Sequence, residues 1–155
     1  YYTGIDMTHN KKIVGFTASS FDLLHAGHIT MLQEAKSVCD YLVVALIADP
    51  TISKAEKNKP VQSLLERYIQ ISAVKYVDEV IPINDEDDLF NLLLVIKPDI
   101  RIVGEEYRDK LFTGSHLPIP IHFNSRRHDF SSTSLRARVA AEERVSVPTN
   151  QNKSQ

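Results

Sequence analysis

A continuous apolar run, YLVVALIA at residues 41–48, is the sequence feature that most constrains the fold. A strand with one solvated face alternates apolar and polar side chains, whereas a strand covered on both faces reads as an unbroken apolar run. Asp49 and Pro50 follow directly and end the strand. The chain must therefore build a sheet with this strand in its interior and with other elements on both faces.

Segments of strand length alternate with segments of helical periodicity along the rest of the chain. Leu32, Ala35 and Val38, for example, recur at helical spacing. The predicted strands are residues 12–18, 41–48, 78–83, 99–103 and 119–123, and the predicted helices are residues 29–38, 63–74, 86–96 and 131–143. Strands separated by helices pair in parallel through right-handed crossovers. The pattern predicts an α/β fold, a single Rossmann-like, doubly wound, parallel five-stranded sheet with helices on both faces.

Composition restricts the class of protein. The 155 residues, 43% of them hydrophobic, suit one domain with a core. The net charge of -2 argues against a nucleic-acid partner. No run reaches the roughly 18 apolar residues that span a bilayer, so we expect no membrane partner and a cytoplasmic location. A single cysteine, Cys39, and scattered histidines predict no metal-ligating cluster in the protein itself.

The domain is expected to occupy residues 12–144. Residues 1–11 are predicted to form an N-terminal extension, of which residues 1–6 are expected to be an added or processed end. Residues 145–155 are polar, contain a proline and lack an apolar period. We expect them to form a flexible C-terminal tail.

Ligands of a doubly wound sheet bind beyond the carboxyl ends of the strands, where the strand order reverses. Four predicted loops meet at that edge and carry cations, imidazoles and hydroxyls. These residues are His25, His28, Lys54, Lys57, Lys59, Arg126, Arg127, Ser131, Ser132 and Thr133. Such groups hydrogen-bond phosphate oxygens, so the sequence predicts a phosphate-binding site there.

The strongest local signal is SSFDLLHAGH at residues 19–28. His25 lies just before the predicted helix and His28 in its first turn, so both imidazoles can face the helix N-terminus, where unpaired amides favour anions. Gly27 between them leaves room for a phosphate. The structural alternative is a pair of surface histidines. A metal site has less support, because no third ligand follows at a suitable spacing.

These segments resemble the H-x-G-H nucleotidyltransferases, and within them the small cytidylyltransferase-like group that includes glycerol-3-phosphate and phosphoethanolamine cytidylyltransferases. SSFDLLHAGH is similar to the family's G-T-F-D-x-x-H-x-G-H motif. DYLVVALIAD, KYVDEVIP and KPDIRIVGEEY resemble its second, third and fourth strands, and FSSTSLR resembles its closing S-[ST]-T element. The motifs occur in the family's order over most of the chain.

The resemblance implies transfer of a nucleoside monophosphate from a nucleoside triphosphate to a small phosphomonoester, with release of pyrophosphate. The first expectation is CMP from CTP and an acceptor such as glycerol 3-phosphate. The alternative is ATP-dependent adenylyl transfer to a phosphosugar or a cofactor phosphate, and a non-catalytic nucleotide-binding module is a third reading. The resemblance also implies Mg²⁺ with the triphosphate and a homodimer.

The resemblance also assigns roles to individual residues. The catalytic residues are expected to be His25, His28, Lys57 and Arg126, with Lys57 favoured over Lys54 and Lys59 in the same loop. The nucleotide-binding residues are expected to be Ser19, Ser20, Phe21, Gly27, Gly104, Glu105, Glu106, Ser131, Ser132 and Thr133. The acceptor-binding residues are expected to be Asp22, Arg67 and Lys75, although Arg67 and Lys75 could equally be surface charges of a helix.

Two departures from the family pattern bear on function. Ser19 and Ser20 replace the usual glycine and threonine before the F-D pair, which restricts the backbone beside the nucleotide. The R-T-E-G-I-S-T-T signature of many CTP-using relatives is replaced by RRHDFSST at residues 126–133. The S-S-T-x-L-R ending of this segment also occurs in adenylyl-transferring branches. The choice of base therefore stays open.

Overall fold

The computed structural model describes residues 11–146, so the predicted N-terminal extension before residue 11 and the tail after residue 146 lie outside the described residues. The strands are β1 (Val14–Ser19), β2 (Tyr41–Ile47), β3 (Glu79–Ile83), β4 (Ile100–Gly104) and β5 (Ile121–Asn124). The α-helices are α1 (Ala26–Ser37), α2 (Leu64–Ser72), α3 (Glu86–Ile96) and α4 (Ser132–Ser146), and a short 3-10 helix (Glu105–Tyr107) follows β4. None of the described helices has the length and apolar character needed to cross a bilayer.

The strands form one parallel sheet in the order β3-β2-β1-β4-β5. From β1 the chain moves outward through β2 to β3 and then returns to the other side of β1 with β4. The strand order therefore reverses between β1 and β4, which is where a doubly wound sheet binds its ligands. The predicted five-stranded parallel sheet is confirmed.

The sheet is covered on both faces, as the apolar run at residues 41–48 predicted. Val44 of β2 lies in a cluster with Leu32 of α1 and Ile71 of α2. Its neighbour Val43 lies in a second cluster with Leu93 of α3. Successive side chains of a strand point to opposite faces, so β2 supplies apolar surface to both layers of helices.

The ends of two helices differ from the prediction. Helix α1 begins at Ala26 rather than at residue 29, because the His25 side chain caps its N-terminus. Helix α4 continues to Ser146, beyond its predicted end at residue 143 and into the segment expected to be a tail. Apolar periodicity locates the apolar positions of a helix, and neither extension carries the apolar period that the prediction used.

Arg67 of α2 fastens the carboxyl ends of β1 and β2 to the start of α2. Its side chain is buried, with 2% of the residue exposed. Nη1 donates to the carbonyls of Ser20 (3.0 Å) and Ile47 (2.7 Å), Nη2 to that of Ala48 (2.6 Å) and Nε to that of Gln62 (3.2 Å). Since the guanidinium is turned to backbone carbonyls, the geometry does not support the predicted contact between Arg67 and the acceptor.

We expect Arg67→Met to lower the free energy of unfolding by about 3 kcal/mol, because it removes a buried guanidinium and leaves four half-buried carbonyls without its hydrogen bonds. Urea unfolding of Arg67→Met, beside Arg138→Met at an exposed position of α4, measures this difference. The control variant is expected to stay within about 0.5 kcal/mol of the wild type. Wild-type stability in Arg67→Met, together with weaker acceptor binding, would contradict the structural role and restore the predicted one.

Candidate active site between β1 and β4

A cavity of about 480 Å³ opens at the carboxyl edge of the sheet. Its walls come from the end of β1, the start of α1, the end of β4, the loop after β5 and the start of α4. The predicted site residues that line it are Ser19, Ser20, Asp22, His25, Gly27, His28, Lys57, Gly104, Glu106, Arg126, Ser131 and Ser132. Most of the residues expected to bind the nucleotide are therefore brought together in one place.

The two histidines of the H-x-G-H segment form a reciprocal cap at the start of α1. His25 is the N-cap residue, and its Nδ1 accepts a hydrogen bond from the backbone N–H of Gly27 at 3.0 Å. Nδ1 of His28 accepts from the backbone N–H of His25 at 3.2 Å. Serine and glutamate usually make this arrangement, in which two unpaired donors of the helix end are satisfied at once. The spacing of the motif is thus set by the geometry of a helix start.

These caps determine which nitrogen of each ring carries the proton. An Nδ1 that accepts a hydrogen bond is unprotonated, so each neutral ring carries its proton on Nε2. The ring centroids lie 3.9 Å apart, so a charge on one imidazole disfavours a charge on the other. Burial, helped by the charge of His25, lowers the pKa of His28 from 6.5 to about 4. Burial, followed by the charges of His128 and Arg126, also lowers the pKa of His25. His28 is therefore neutral at pH 7.

A second helix start meets the first one across the cavity. Nε2 of His25 lies 3.2 Å from Oγ of Ser132, the first residue of α4. Oγ of Ser131 accepts from the backbone N–H of Ser134 at 3.1 Å and so caps the helix. The N-termini of α1 and α4, with their positive dipole ends, therefore both border the same cavity. The arrangement suits several phosphate groups.

Gly27 cannot carry a side chain in this arrangement. A Cβ at this position would lie 2.8 Å from Cε1 of His25 and 3.0 Å from Cε1 of His128. His128 stacks on Phe130, with ring centroids 5.3 Å apart. The residue that departs from the family's R-T-E-G pattern thus covers the start of α1.

The carboxylate of Asp22 joins three segments beside the cavity. It is 7% exposed and accepts hydrogen bonds from the backbone N–H groups of Val61 and Gln62, each at 2.9 Å. Nη2 of Arg136 in α4 donates to it at 2.8 Å. Burial opposes ionisation, but these donors outweigh burial and hold the pKa of Asp22 below its ordinary value. Asp22 lines the cavity and also positions its walls.

The loop that carries Asp22 has left-handed backbone at two residues other than glycine. Phe21 has φ 47° and Leu23 has φ 50°. Such conformations cost about 1–3 kcal/mol each and persist only where the surroundings hold them. Phe21 is buried with its ring against His28, and the Leu23 N–H donates to Oε1 of Gln62 at 2.8 Å. Ser19 lies within β1 and needs no left-handed backbone, so the strand accommodates serine where relatives have glycine.

Two lysines of the loop after β2 reach the cavity wall, and one does not. Lys57 lines the cavity, and its Nζ donates to Oη of Tyr107 at 3.4 Å. Lys54 also lines it, but its Nζ pairs with Oε1 of Glu86 at 3.4 Å. Lys59 is exposed and is not part of the lining. Of the two lysines that line the cavity, Lys57 is the one whose ammonium is not paired with a carboxylate.

The structure does not bring every predicted site residue to the cavity. Phe21, Glu105 and Thr133 lie outside the lining: Phe21 is core, and Glu105 pairs with Arg108. Lys75 precedes β3, at the amino-end edge of the sheet, with its Nζ 5.2 Å from the centre of the Tyr76 ring. Because the cavity lies at the opposite edge, the geometry does not support acceptor binding by Lys75 of the same chain.

Two buried polar residues of the cavity were not singled out from the sequence. Arg101 of β4 is 6% exposed and Asn124 at the end of β5 is 5% exposed. Oδ1 of Asn124 has no hydrogen-bond partner among the described residues. A buried polar atom of this kind normally finds a partner, so Asn124 is a candidate for contact with a bound molecule. Arg101 lies inside a strand-like run and Asn124 directly follows one, so the sequence pattern did not mark either as a ligand-binding residue.

Comparison with known proteins identifies the family. A family model described as cytidylyltransferase-like matches residues 16–138. This range begins in β1, includes both capping histidines and ends in α4. The chain belongs to the cytidylyltransferase-like family. The assignment to the nucleotidyltransferases, which the H-x-G-H resemblance implied, is confirmed.

Curated relatives of this cytidylyltransferase-like domain include the bifunctional protein HldE of two bacteria. The HldE of Campylobacter jejuni (strain RM1221) is 37% identical over 128 residues, which are 82% of this chain and 27% of the relative. That of Helicobacter pylori (strain HPAG1) is 36% identical over 128 residues, with the same coverage. The chain thus spans about a quarter of the length of the curated relatives it matches.

Solved structures support the same fold. The lipopolysaccharide core biosynthesis protein from Thermoplasma volcanium matches with a TM-score of 0.55 and 26% identity, over 86% of this chain and 90% of that chain. The pantoate-beta-alanine ligase from Francisella tularensis matches with a TM-score of 0.52 and 19% identity, over 91% of this chain and 74% of that chain. The second likeness concerns the fold alone.

The depressed pKa of His28 predicts a loss of stability in mild acid. Because the folded-state pKa lies below the 6.5 of an exposed imidazole, the unfolded chain takes up the proton first as the pH falls. The contribution is complete above about pH 6.5 and is lost toward pH 4. Between pH 7 and pH 5 we expect the wild type to lose about 2 kcal/mol more than His28→Asn, whose amide oxygen can still accept from His25. Urea unfolding at both pH values measures this, and identical losses in the two proteins would contradict a neutral His28.

Proposed function

We propose that this domain transfers a nucleoside monophosphate from a nucleoside triphosphate to the phosphate group of a phosphorylated sugar. The observation that carries the proposal is the meeting of the α1 and α4 N-termini, with two neutral histidines, at one cavity. The sugar is favoured because a matched structure is named as a lipopolysaccharide core biosynthesis protein. A phosphomonoester such as glycerol 3-phosphate remains the other acceptor class.

The reaction needs no external base. An oxygen of the acceptor phosphate attacks the α-phosphorus, and the bond from that phosphorus to the bridging oxygen of the β-phosphate breaks. Pyrophosphate leaves with the electron pair, so no proton has to move in the step. Catalysis then consists of positioning the two anions and stabilising the charge that develops around the α-phosphorus.

The histidines would stabilise this charge as neutral donors. Nε2–H of His28 receives no acceptor from the described residues and is available to a phosphate oxygen. Its pKa of about 4 keeps the ring from gaining a second proton near neutral pH. A fixed donor of this kind stabilises a transition state without reorganisation. His25 would hold the start of α4 in place through Ser132.

Cationic side chains would complete the triphosphate site. Arg126 lines the cavity beside His25, and its positive charge contributes to the lowered pKa of His25. Lys57 also lines the cavity, beside Tyr107. We propose that Mg²⁺ enters with the triphosphate as part of the substrate, because phosphate oxygens are its preferred ligands. The homodimer that the resemblance implies stays a prediction.

ATP is the favoured donor and CTP is the second candidate. The S-S-T-x-L-R ending of residues 131–136 resembles adenylyl-transferring branches, and Ser132 of this ending contacts His25. CTP is supported by the family that matches the chain and by the similarity of KYVDEVIP to cytidylyltransferases. The two donors would produce different products from the same cavity.

Pyrophosphate release is the direct test. ATP and CTP are assayed in parallel with Mg²⁺ across sugar 1-phosphates, glycerol 3-phosphate and phosphoethanolamine. We expect turnover with ATP and a sugar phosphate, and a loss of roughly 100-fold or more in His28→Ala, which lacks the donor. Turnover with CTP alone would select the second donor. Absence of turnover with every pair, although nucleotide binds, would contradict the proposal and support a non-catalytic nucleotide-binding module.

The same assay contains a matched pair of lysine variants. Lys57→Met removes the ammonium that lines the cavity, whereas Lys59→Met removes an exposed ammonium two residues away. We expect Lys57→Met to lower kcat/KM by roughly tenfold or more and Lys59→Met to stay within about twofold of the wild type. Equal effects of the two variants would show that the loop acts through its net charge.

A further inference from the structure

We propose that Arg101 of β4 is a specificity-determining residue that binds an oxyanion group of the acceptor. The proposal rests on the function proposed above and names the group that recognises the second substrate. Arg101 lies in a part of the cavity separate from the capping histidines. The α3-side lobe is the name used here for that part, which is lined by Leu89, Arg101, Phe112 and Thr113.

The sheet separates this lobe from the start of α1. Ile102 belongs to the core cluster that α1 and α2 cover, so its neighbour Arg101 points to the other face, which α3 covers. Leu89 of α3 forms part of the lobe on that face. The triphosphate site proposed above lies at the starts of α1 and α4. The α3-side lobe is therefore the part of the cavity that remains for the acceptor.

Two contacts hold the Arg101 side chain in place and leave most of its N–H donors without an acceptor in the part of the chain that the structure describes. Nη1 donates to the carbonyl of Thr113, and the guanidinium carbon lies 5.1 Å from the centre of the Phe112 ring. A guanidinium has five N–H donors in a fixed fork. Among the described residues, Thr113 is the acceptor that Arg101 finds. The remaining donors border the cavity, where a planar fork can hold two oxygens of a phosphate or carboxylate.

The charge of Arg101 also lacks a close partner. No described carboxylate lies within 4.0 Å of its nitrogens. Glu86 favours the charged form from a distance, but its carboxylate pairs with Lys54. Burial lowers the pKa of Arg101 to about 10, so the group is still protonated at pH 7. An unpaired buried charge is costly, and an anionic ligand would relieve that cost.

A purely structural role for Arg101 explains these contacts less well than anion binding does. An arginine that only fastened the loop after β4 would direct its donors to that loop, as Arg67 directs its donors to the carbonyls around it. Arg101 gives Thr113 one bond and lies 94% buried beside open cavity space. Gly114 leaves room for it, since a Cβ there would come within 3.1 Å of Nη1.

Phosphate binding to the nucleotide-loaded protein tests the proposal. The full chain is first saturated with non-hydrolysable ATP or CTP analogue and Mg²⁺, so that the triphosphate site is occupied. Inorganic phosphate is then titrated by calorimetry into the wild type, Arg101→Leu, Arg101→Lys and Arg108→Met. Leucine suits the apolar face that α3 covers, and lysine keeps the charge without the fork. Arg108 is an exposed arginine that follows the 3-10 helix after β4 and lies outside the cavity lining.

We expect Arg101→Leu to raise the Kd for phosphate by roughly tenfold or more. The Kd of Arg101→Lys is expected to lie between those of Arg101→Leu and the wild type, and the Kd of Arg108→Met is expected to equal that of the wild type. The Kd for the nucleotide analogue is expected to stay within about twofold in all variants, because Arg101 lies apart from the triphosphate site. Thermal unfolding confirms that each variant is folded. Equal weakening of phosphate and nucleotide, unchanged phosphate binding in a folded Arg101 variant, or no saturable phosphate binding by the wild type would overturn the proposal.

The source of the oxyanion is resolved by two sugars that differ in one carboxylate. Glucose 1-phosphate and glucuronic acid 1-phosphate are titrated under the same conditions. Weaker binding of both in Arg101→Leu assigns Arg101 to the reacting phosphate, and weaker binding of the uronic acid alone assigns it to a second anionic group. Absence of nucleotide-analogue binding by the wild type would instead contradict the proposed function. Failure of the Arg101 proposal and failure of the proposed function are therefore distinguishable.

Discussion

The carboxylate of Asp22 is the constraint on which the rest of the site depends. It joins the loop after β1, the segment before α2 and Arg136 of α4 at one point. The backbone around it is left-handed at Phe21 and Leu23. Residues other than glycine keep this conformation only where contacts with the surrounding structure stabilise it. Arg67 adds a second constraint, because its guanidinium hydrogen-bonds the backbone carbonyls at the ends of β1 and β2. Together they determine where His25 stands and therefore where α1 begins.

Under the proposed function, helix capping and catalysis would use different atoms of the same two rings. Nδ1 of each histidine satisfies a backbone donor at the start of α1, which leaves Nε2 for a partner across the cavity. A serine or aspartate would cap the helix as well but would offer no N–H donor. The motif H-x-G-H therefore combines a structural requirement with a chemical one. The glycine completes it by leaving space between His25 and His128.

The sheet could be predicted because its signals are local. The unbroken apolar run at residues 41–48 requires cover on both faces, and the two core clusters provide it. The start of α1 was placed too late, because histidine is an unusual cap and the apolar period begins only at residue 29. The end of α4 was placed too early because Arg144 and Val145, beyond the predicted end, are exposed and continue no apolar period.

The site could be predicted only where a motif marks it. The capping histidines, the serines of α4 and Lys57 reach the cavity as expected. Arg67 was expected to bind the acceptor because a sequence does not show that its donors are taken by distant carbonyls. Arg101 was missed because it lies in a strand-like run, and Asn124 because it directly follows one; the burial of both depends on which elements cover the strand. Their roles follow from three-dimensional contacts alone.

The protonation state of His28 tests the central claim most directly. Nitrogen NMR of the imidazole distinguishes a protonated Nε2 from a protonated Nδ1 and follows the ring charge with pH. The account predicts a neutral ring with its proton on Nε2 between pH 7 and about pH 5, and a shift of the Nε2 signal when a non-hydrolysable nucleotide analogue binds. A ring that titrates near pH 6.5, or an Nε2 signal that does not respond to the analogue, would contradict it.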